Sequence, residues 1–550
     1  MLHIIIIVEN VDLDPENKYY TFSKILYIYK TNQLYTTNQL YIILCMANFL
    51  FNKLLRPVVT ATVAACTVVG GIGYNNNKYN NTAFQCEKKI SNVKIIKAEL
   101  LIPGRGEPIE NGTVIIKGKK IVYAGCSDAV NIKLDENEIQ QIIEAPVVMP
   151  GMWDCHVHFI GESDTPSGSL FDSFLKEHVA TRAARCVAHA AKALDAGFTS
   201  VREVGGIGCH LAKLIEDKSI RGPKIYYAGQ ILSTTGGHGD EHDIPMEVCA
   251  AAGPDRNIGY LCDGVPECLK AVRLQIRNGA SHIKICTSGG VMSKVDDPLH
   301  QQFSQEELNA IVQEAARSER IVAAHCHGKA GIKAALDAGC KTIEHGTYLD
   351  EDMAILMKEK DAILVPTRWI IESLLKIINK NDNEDTDLGM SAENNLETYQ
   401  IRKLKEIANT HMNGMRIAHK IGVKIALGTD MFISSGWGFH GEECHYLEKM
   451  GLTPLEVIEA ATANGCETLG KQAPLSGIIK AGYDADILIL NENPLKNVSI
   501  LGNAKKIKMV LKGGEIVKNT MIGKDSNDGS KNDDDDIGKA GKAFAFWNRA

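Results

Sequence analysis

Short apolar runs alternate with longer amphipathic stretches through the middle of the chain. The apolar runs cover residues 147–159, 199–204, 224–232, 282–288, 321–325, 342–345, 362–367 and 423–430. Helical patterns lie between them, as at 170–195, 306–318 and 332–338. Eight buried-strand candidates alternating with helices predict an α/β protein with a (β/α)8, TIM-like barrel, and a doubly wound open sheet is the competing topology. The polar residues at the carboxyl ends of the runs favour the barrel, because a barrel places its active site there.

Strand patterns also flank this central region on both sides. Residues 93–101 and 113–124 precede it, and 486–490 and 508–517 follow it. We therefore expect one small composite β-sandwich domain built from both flanks, with its parts at 92–149 and 475–522 and the barrel at 150–474. Ser304 with Glu307 and Thr453 with Glu456 fit helix capping boxes.

The two ends of the chain differ from this core. Residues 46–86 contain no acidic side chain, and 57–74 are uncharged after two basic residues. Three interpretations of residues 1–91 stay open: a mitochondrial presequence, a secretory signal, or a short anchor that brings 46–74 into contact with a membrane. The lack of acidic residues favours mitochondrial localisation over a secreted, membrane-anchored or cytoplasmic protein. Residues 523–550, with aspartates at 533–536, are predicted to form a solvated, disordered tail.

Composition narrows the classes of function. The chain has 550 residues, 45% of them hydrophobic, which is enough for a large core and excludes a disordered or fibrous chain. A formal charge of −7 gives no basic surplus, so we expect no nucleic-acid partner. The 15 cysteines form no CxxC pair, which indicates reduced thiols rather than a disulfide framework or a structural zinc site.

Metal-compatible side chains occur at the ends of several predicted strands. His156 and His158 lie two apart in the first strand, so they point to the same face. Lys284 lies inside an apolar strand, where burial would depress its pKa, unless the side chain extends to the surface. The remaining three candidates close strands 5, 6 and 8: His325, His345 and Asp430. Any one of them alone could be an ordinary core polar group, but six at matching strand ends indicate a site for zinc or a similar divalent ion.

The local sequence resembles the amidohydrolase superfamily. The segments MPGMWDCHVHF, KICTSGGVMS, AAHCHG, IEHGTYLD and ALGTD, with the closing GIIKAGYDADILIL, are similar to the branch of Xaa-Pro/Xaa-Arg dipeptidases and ochratoxinase, which is related to imidazolonepropionase. The match covers about residues 92–520.

The resemblance implies two divalent metal ions, and zinc is the ion we expect. In that family pattern His156, His158 and Asp430 would bind one ion, and His325 and His345 the other. Lys284, carboxylated by carbon dioxide, would bridge both. Asp430 would also be the catalytic general base and acid, and the resemblance implies a homo-oligomer.

The implied reaction is hydrolysis of an amide bond in a dipeptide or N-acyl amino acid. His238 and Tyr348 resemble positions that contact the substrate carboxylate in this branch, and Arg368 is a further carboxylate candidate. A loop-ordering role for His238 and an ion pair for Arg368 are the alternatives. For the whole protein, a mononuclear deaminase or cyclic-amide hydrolase and a non-catalytic scaffold stay open.

Overall fold

The structure is a computed structural model that describes residues 5–14, 19–28, 92–132, 134, 136–162, 177–253, 258–379, 396 and 398–521. The chain divides into two compact units, Met1–Glu87 and Lys88–Ala550. The first contains an antiparallel hairpin of β1 (Ile5–Asp14) and β2 (Tyr19–Ile28). The predicted targeting segment at 46–86 and the tail at 523–550 lie outside the described residues. Within the described ranges, no helix has the length and apolar character needed to cross a bilayer.

The second unit holds the remaining strands and the helices. Its strands are β3 (Val93–Leu101), β4 (Ile109–Lys117), β5 (Lys120–Cys126), β6 (Ile139–Pro150), β7 (Met152–Val157), β8 (Phe198–Glu203), β9 (Lys224–Tyr227), β10 (Ile231–Ser233), β11 (Gly259–Leu261), β12 (Ile283–Cys286), β13 (Val322–Cys326), β14 (Thr342–His345), β15 (Ile363–Val365), β16 (Lys424–Ile425), β17 (Ile487–Leu490), β18 (Ile507–Lys512) and β19 (Glu515–Asn519). Its helices are α1 (Val179–Asp195), α2 (Gly208–Glu216), α3 (Met246–Ala252), α4 (Gly264–Arg277), α5 (Gln305–Ala316), α6 (Lys329–Ala338), α7 (Glu351–Glu359), α8 (Arg368–Ile378), α9 (Thr398–Ile421), α10 (Glu442–Met450), α11 (Pro454–Ala461) and α12 (Ala463–Glu467).

Both flanks of the barrel build one seven-stranded sheet, in the order β19-β18-β17-β6-β3-β4-β5. The antiparallel pairing of β6 with β17 joins the two flanks. The expectation of a composite β domain is therefore confirmed. Two predicted single strands are wrong in detail, because 113–124 and 508–517 each contain a hairpin turn. Gly118 and Gly514 sit in these turns with φ of 60° and 75°, a conformation that glycine adopts readily.

The central strands close into a parallel barrel. One sheet runs β7-β8-β9, and the other runs from β10 through β12 to β16, with β11 as an additional strand on its edge. The ring closes between its last and first strands, where Asp430 N donates to His156 O at 2.8 Å and Cys155 N donates to Leu427 O at 2.8 Å. The barrel prediction is confirmed, and the open sheet is excluded.

The apolar run at 147–159 is not one strand but two. It splits at Gly151 into β6 of the small domain and β7 of the barrel. A Cβ at Gly151 would lie 2.1 Å from Thr199 Oγ1, so the chain can pass between the two sheets only with glycine at this position.

Helices pack around the barrel and cover its strands. Helix α5 covers most of the predicted 306–318, α6 begins three residues before the predicted 332, and the described part of the 170–195 pattern is α1. Both predicted capping boxes, at Ser304 and Thr453, are present. The main core lies between these helices and the strands. The fold thus leaves the carboxyl ends of the barrel strands free to present side chains.

Candidate active site

All six predicted metal ligands line one cavity at the carboxyl ends of the barrel strands. The members of this set are His156 and Lys284 within β7 and β12, His325 in β13, His345 at the end of β14, His158 directly after β7, and Asp430 in the loop that follows β16. The structure therefore brings together residues that are up to 274 positions apart in the chain, from position 156 to position 430.

The donor atoms fall into two overlapping groups. His156, His345 and Asp430 offer ligand atoms within 4.8 Å of one another, and so do His325, His327 and His345. Lys284 Nζ lies 3.5 Å from His156 Nε2. His158 Nε2 lies 3.3 Å from Asp430 Oδ1. The lysine therefore belongs to the same cluster as the imidazoles and does not extend to the surface.

Each cavity imidazole has one ring nitrogen tied to a hydrogen-bond partner outside the cluster. This bond orients the ring and leaves its other nitrogen for the cavity. The pairs are His156 Nδ1 with Glu344 Oε2 (2.8 Å), His158 Nδ1 with Gly205 O (2.8 Å), His325 Nε2 with Gly289 O (3.2 Å), His327 Nδ1 with Thr347 Oγ1 (2.7 Å) and His345 Nδ1 with Thr367 Oγ1 (2.7 Å).

Burial sets the protonation of this cluster. It lowers the pKa of His156 to about 4 and the pKa values of His325 and His345 well below their ordinary range. It also lowers the pKa of the Lys284 ammonium. Neutral imidazoles are metal ligands, and a neutral amine can react with carbon dioxide. Burial opposes ionisation of Asp430, but the charges and hydrogen bonds of its two histidine neighbours outweigh it, so its pKa lies below the usual range.

Three residues at successive strand ends have left-handed backbone conformations. His345, Thr367 and Asp430 follow or end β14, β15 and β16, with φ of 68°, 55° and 58°. Such a conformation costs of order 1–3 kcal/mol in a residue other than glycine and clusters at functional sites. Strain at three neighbouring positions supports this cavity as the functional site.

A buried ion pair supports the cluster from below. Arg202 Nη2 lies 2.6 Å from Glu344 Oε1, and both side chains are fully buried. Glu344 in turn holds His156. Sequence reasoning missed both residues. The HxH spacing of His325 and His327 is visible in the sequence, but the family resemblance assigns only His325 as a ligand, so His327 was not among the predicted site residues.

The three predicted substrate contacts differ in their placement. His238 lines the cavity and stacks on His325, with ring centroids 4.2 Å apart. Tyr348 and Arg368 are not among the described residues that line it. The Arg368 guanidinium instead bonds Glu372 and the carbonyl of Ala408. The structure thus shows the ion pair that was the alternative for Arg368, and its role in carboxylate binding stays a prediction.

Part of the cavity lining is apolar. Helices α8 and α9 supply Ile370, Ile371, Leu374, Leu404 and Ile407 to this apolar wall. A substrate held in this cavity would meet both the polar groups of the donor cluster and hydrocarbon.

Neutral, oriented imidazoles with a carboxylate and a buried amine fit the ligand preferences of divalent ions such as zinc. A closed parallel barrel with such donors at its strand ends defines the class of a barrel enzyme with a metal-type centre. The chain belongs to the amidohydrolase family, whose model matches residues 147–517. The predicted resemblance to this family is confirmed. The protein is a hydrolase of carbon–nitrogen amide bonds and acts on a small-molecule substrate.

Similar proteins include ochratoxinase of Aspergillus niger, which is 44% identical over 441 residues, or 78% of this chain and 88% of that protein. The crystal structure of that ochratoxinase gives a TM-score of 0.70 and covers 79% of this chain and 97% of its own. A prolidase in complex with N-methylphosphonate-L-proline is 30% identical, with a TM-score of 0.69, and covers 78% of this chain and 100% of its own. A Xaa-Pro dipeptidase with methionine bound in its active site is 28% identical, with a TM-score of 0.66 and the same coverage.

Proposed function

We propose that this protein hydrolyses the amide bond of a dipeptide or N-acyl amino acid at a centre of two divalent metal ions. The observation that carries the proposal is the position of Lys284, buried and 3.5 Å from His156 within a cavity of oriented imidazoles. A mononuclear centre does not need a bridging lysine carbamate. The similar ochratoxinase and prolidase support amide hydrolysis as the reaction.

The proposed ligands divide between two positions. His156, His158 and Asp430 would hold one ion, and His325 and His345 the other, with zinc as the proposed metal. Lys284, as a carbamate formed with carbon dioxide, would bridge them. Its lowered pKa favours the neutral amine that this carboxylation requires.

The chemistry combines metal-ion and acid–base catalysis. When bound, the ions would supply the Lewis acidity that activates water and polarises the scissile carbonyl. Asp430, ionised at neutral pH, would accept a proton from that water and then donate it to the leaving amine. The amine is a poor leaving group unless its nitrogen is protonated. The same carboxylate therefore serves first as general base and then as general acid.

The polar and apolar parts of the cavity lining suggest how the substrate lies. His238 offers an imidazole beside the donor cluster, whereas α8 and α9 offer hydrocarbon. We propose that His238 contacts the polar end of the substrate near the scissile bond and that the apolar wall receives an apolar side chain or acyl group. The apolar wall predicts that Xaa-Arg dipeptides are poorer substrates than those with apolar residues.

Metal analysis of the full-length protein, with a panel of Xaa-Pro, Xaa-Arg and N-acyl amino-acid substrates, tests the proposal. We expect about two divalent ions per chain and cleavage of apolar members of the panel. One ion, or two without amide cleavage, would favour a deaminase or a cyclic-amide hydrolase instead.

Two substitutions separate the proposed roles of the ligands. Lys284→Ala should abolish hydrolysis and halve the bound metal, because it removes the bridge. Asp430→Asn should lower kcat at least a hundredfold, because the asparagine side chain cannot accept the proton from water. Retained activity in Lys284→Ala would refute the two-metal centre, and an unchanged rate in Asp430→Asn would refute its proton-transfer role.

A further inference from the structure

A buried lysine outside the donor cluster holds the loop that follows β12. Lys403 lies on α9 and is only 6% exposed. Its ammonium donates to three backbone carbonyls of this loop, Gly290 O at 3.0 Å, Ser293 O at 2.8 Å and Asp296 O at 2.6 Å. It also lies 3.6 Å from Asp296 Oδ1. A single ammonium thus binds three backbone carbonyls of the loop at once.

Neighbouring residues on the same helix reinforce this hold. Gln400 Nε2 donates to Met292 O at 2.9 Å, and Tyr399 Oη donates to the same oxygen at 3.2 Å. Positions 399, 400 and 403 lie within about one helical turn, so they share one face of α9. That face therefore fixes residues 290–296, two of which, Val291 and Met292, line the cavity.

The same loop orients His238. Ser293 Oγ donates a short hydrogen bond to Asp296 Oδ1, so it accepts from His238 Nδ1 at 2.8 Å. The imidazole also packs against Gly290, where a Cβ would lie 2.0 Å from His238 Nδ1. The chain of contacts runs from Lys403 through the loop to an imidazole of the cavity wall.

We propose that Lys403 is a positioning residue, which fixes the loop at 290–296 and thereby sets the orientation of His238 for substrate binding. The inference rests on the proposed function, in which His238 contacts the substrate. Lys403 itself does not line the cavity, so its effect on catalysis must pass through the loop. Without the ammonium, three carbonyl groups lose their buried donor, and the loop can shift away from the helix.

A double-mutant cycle with Lys403→Met and His238→Ala tests this path. Lys403→Met should lower kcat/KM about tenfold, mainly through KM, on a substrate that the wild type cleaves. In the His238→Ala background the same substitution should change kcat/KM less than about twofold, because the positioned group is already gone. Equal effects in both backgrounds would overturn the proposal.

Ser293→Ala gives a second variant in case Lys403→Met folds poorly. It removes the hydrogen bond to His238 and the one that Ser293 Oγ donates to Asp296 Oδ1, but it leaves the contacts of the Lys403 ammonium with the backbone carbonyls in place. It should therefore raise KM and should also be non-additive with His238→Ala. Lys405→Met, an exposed lysine of the same helix, is the matched control and should leave KM unchanged. Additive effects of Ser293→Ala and His238→Ala would contradict the proposal that the loop orients His238 through Ser293.

Hydrogen exchange tests the loop without reference to any substrate. Backbone amides of 290–296 should exchange faster in Lys403→Met, but not in Lys405→Met, while the bound metal stays equal in all variants. Unchanged exchange would overturn the positioning role. A wild type that cleaves no member of the panel would instead refute the proposed function, so the two failures can be told apart.

Discussion

Single hydrogen bonds to ring nitrogens decide which nitrogen each cavity histidine presents. His345 shows this most clearly, because its Nδ1 bonds Thr367 Oγ1 at 2.7 Å and its Nε2 is left for the cluster. Both residues have left-handed backbone conformations. The strain lies where the orientation of the ring matters, as a preorganised functional site requires.

Thr367→Val should weaken metal binding, because the isosteric side chain keeps the packing but removes the oxygen that holds His345. We expect a loss of about 10–100-fold in the affinity of the ion that His325 and His345 would hold, as is typical when a hydrogen-bond partner of a ligand is removed. Titration of the metal-free protein with zinc measures it. Thr367→Ser keeps the hydroxyl and should bind close to wild type. Equal affinity in the valine and serine variants would show that the hydroxyl does not orient the ring.

The residue scale also shows what sequence can reveal about a site. His156, His158, Lys284 and the other proposed ligands can be picked out from the sequence because polar side chains are rare in buried strands. The hydrogen-bond partners of these residues cannot be picked out in this way. Thr367 and Gly205 have common side chains or none, and their roles depend on which loops the barrel brings together.

At the scale of elements, the barrel strands are joined by an ion pair across their interior. Arg202 in β8 and Glu344 in β14 are both fully buried and 2.6 Å apart. Burial alone would raise the pKa of Glu344, but the Arg202 guanidinium, the hydrogen bond and charge of His156 and the charge of Lys284 together outweigh it, so the pKa lies below the usual range. Removing one partner of such a pair is costly, because the other charge stays buried without compensation.

Glu344→Gln should therefore destabilise the fold by about 3–5 kcal/mol, since it leaves the Arg202 charge unpaired. Denaturant unfolding of the metal-free protein measures the change apart from any effect on metal binding. Asp337→Asn, which breaks an exposed pair with Lys333 on α6, is the control and should cost no more than about 0.5 kcal/mol. Similar costs for both substitutions would mean that the buried pair carries no special weight.

Element positions were predictable where the pattern of apolar residues is local. All eight barrel runs contain a strand, because each is short, buried and bounded by turn residues. The boundary at Gly151 was not predictable, since the apolar run continues through it. Only the contact with Thr199 shows that the chain passes here from one sheet to the other. The Arg202–Glu344 pair was hidden for a similar reason, because no local pattern shows that these two side chains, 142 positions apart, face each other inside the barrel.

The stability of the whole molecule depends on acids that the fold buries in their neutral form. Glu203, at the end of β8, is fully buried, and burial raises its pKa to about 8 from an ordinary value of 4.5. Its Oε1 accepts from Gly208 N at 2.8 Å, whereas Oε2 has no partner among the described residues. An atom without a partner is tolerable if it carries the proton, since a buried charge there would cost far more.

This protonation makes stability depend on pH in a definite direction. Between pH 4.5 and 8 the folded chain keeps a proton that the unfolded chain has lost, so the contribution of Glu203 to stability falls as pH rises through this window. The slope can reach about 1.4 kcal/mol per pH unit. Glu203→Gln carries no titrating proton, so its stability relative to wild type should rise steadily with pH and level off above 8.

Unfolding of both proteins in denaturant at pH 5, 6, 7, 8 and 9 measures this difference, with Glu406→Gln, an exposed glutamate of α9, as the control for the substitution itself. A flat difference for Glu203→Gln would mean that the carboxyl is ionised in the folded protein. It would then have to be compensated by a cation close to Oε2. Because Glu203 lies two residues from Gly205, whose carbonyl orients His158, such a charge would act on the donor cluster itself. If the stability of Glu203→Gln relative to wild type rises with pH, Glu203 carries a proton in the folded protein. The charge near the donor cluster then comes from the cluster's own side chains and not from Glu203.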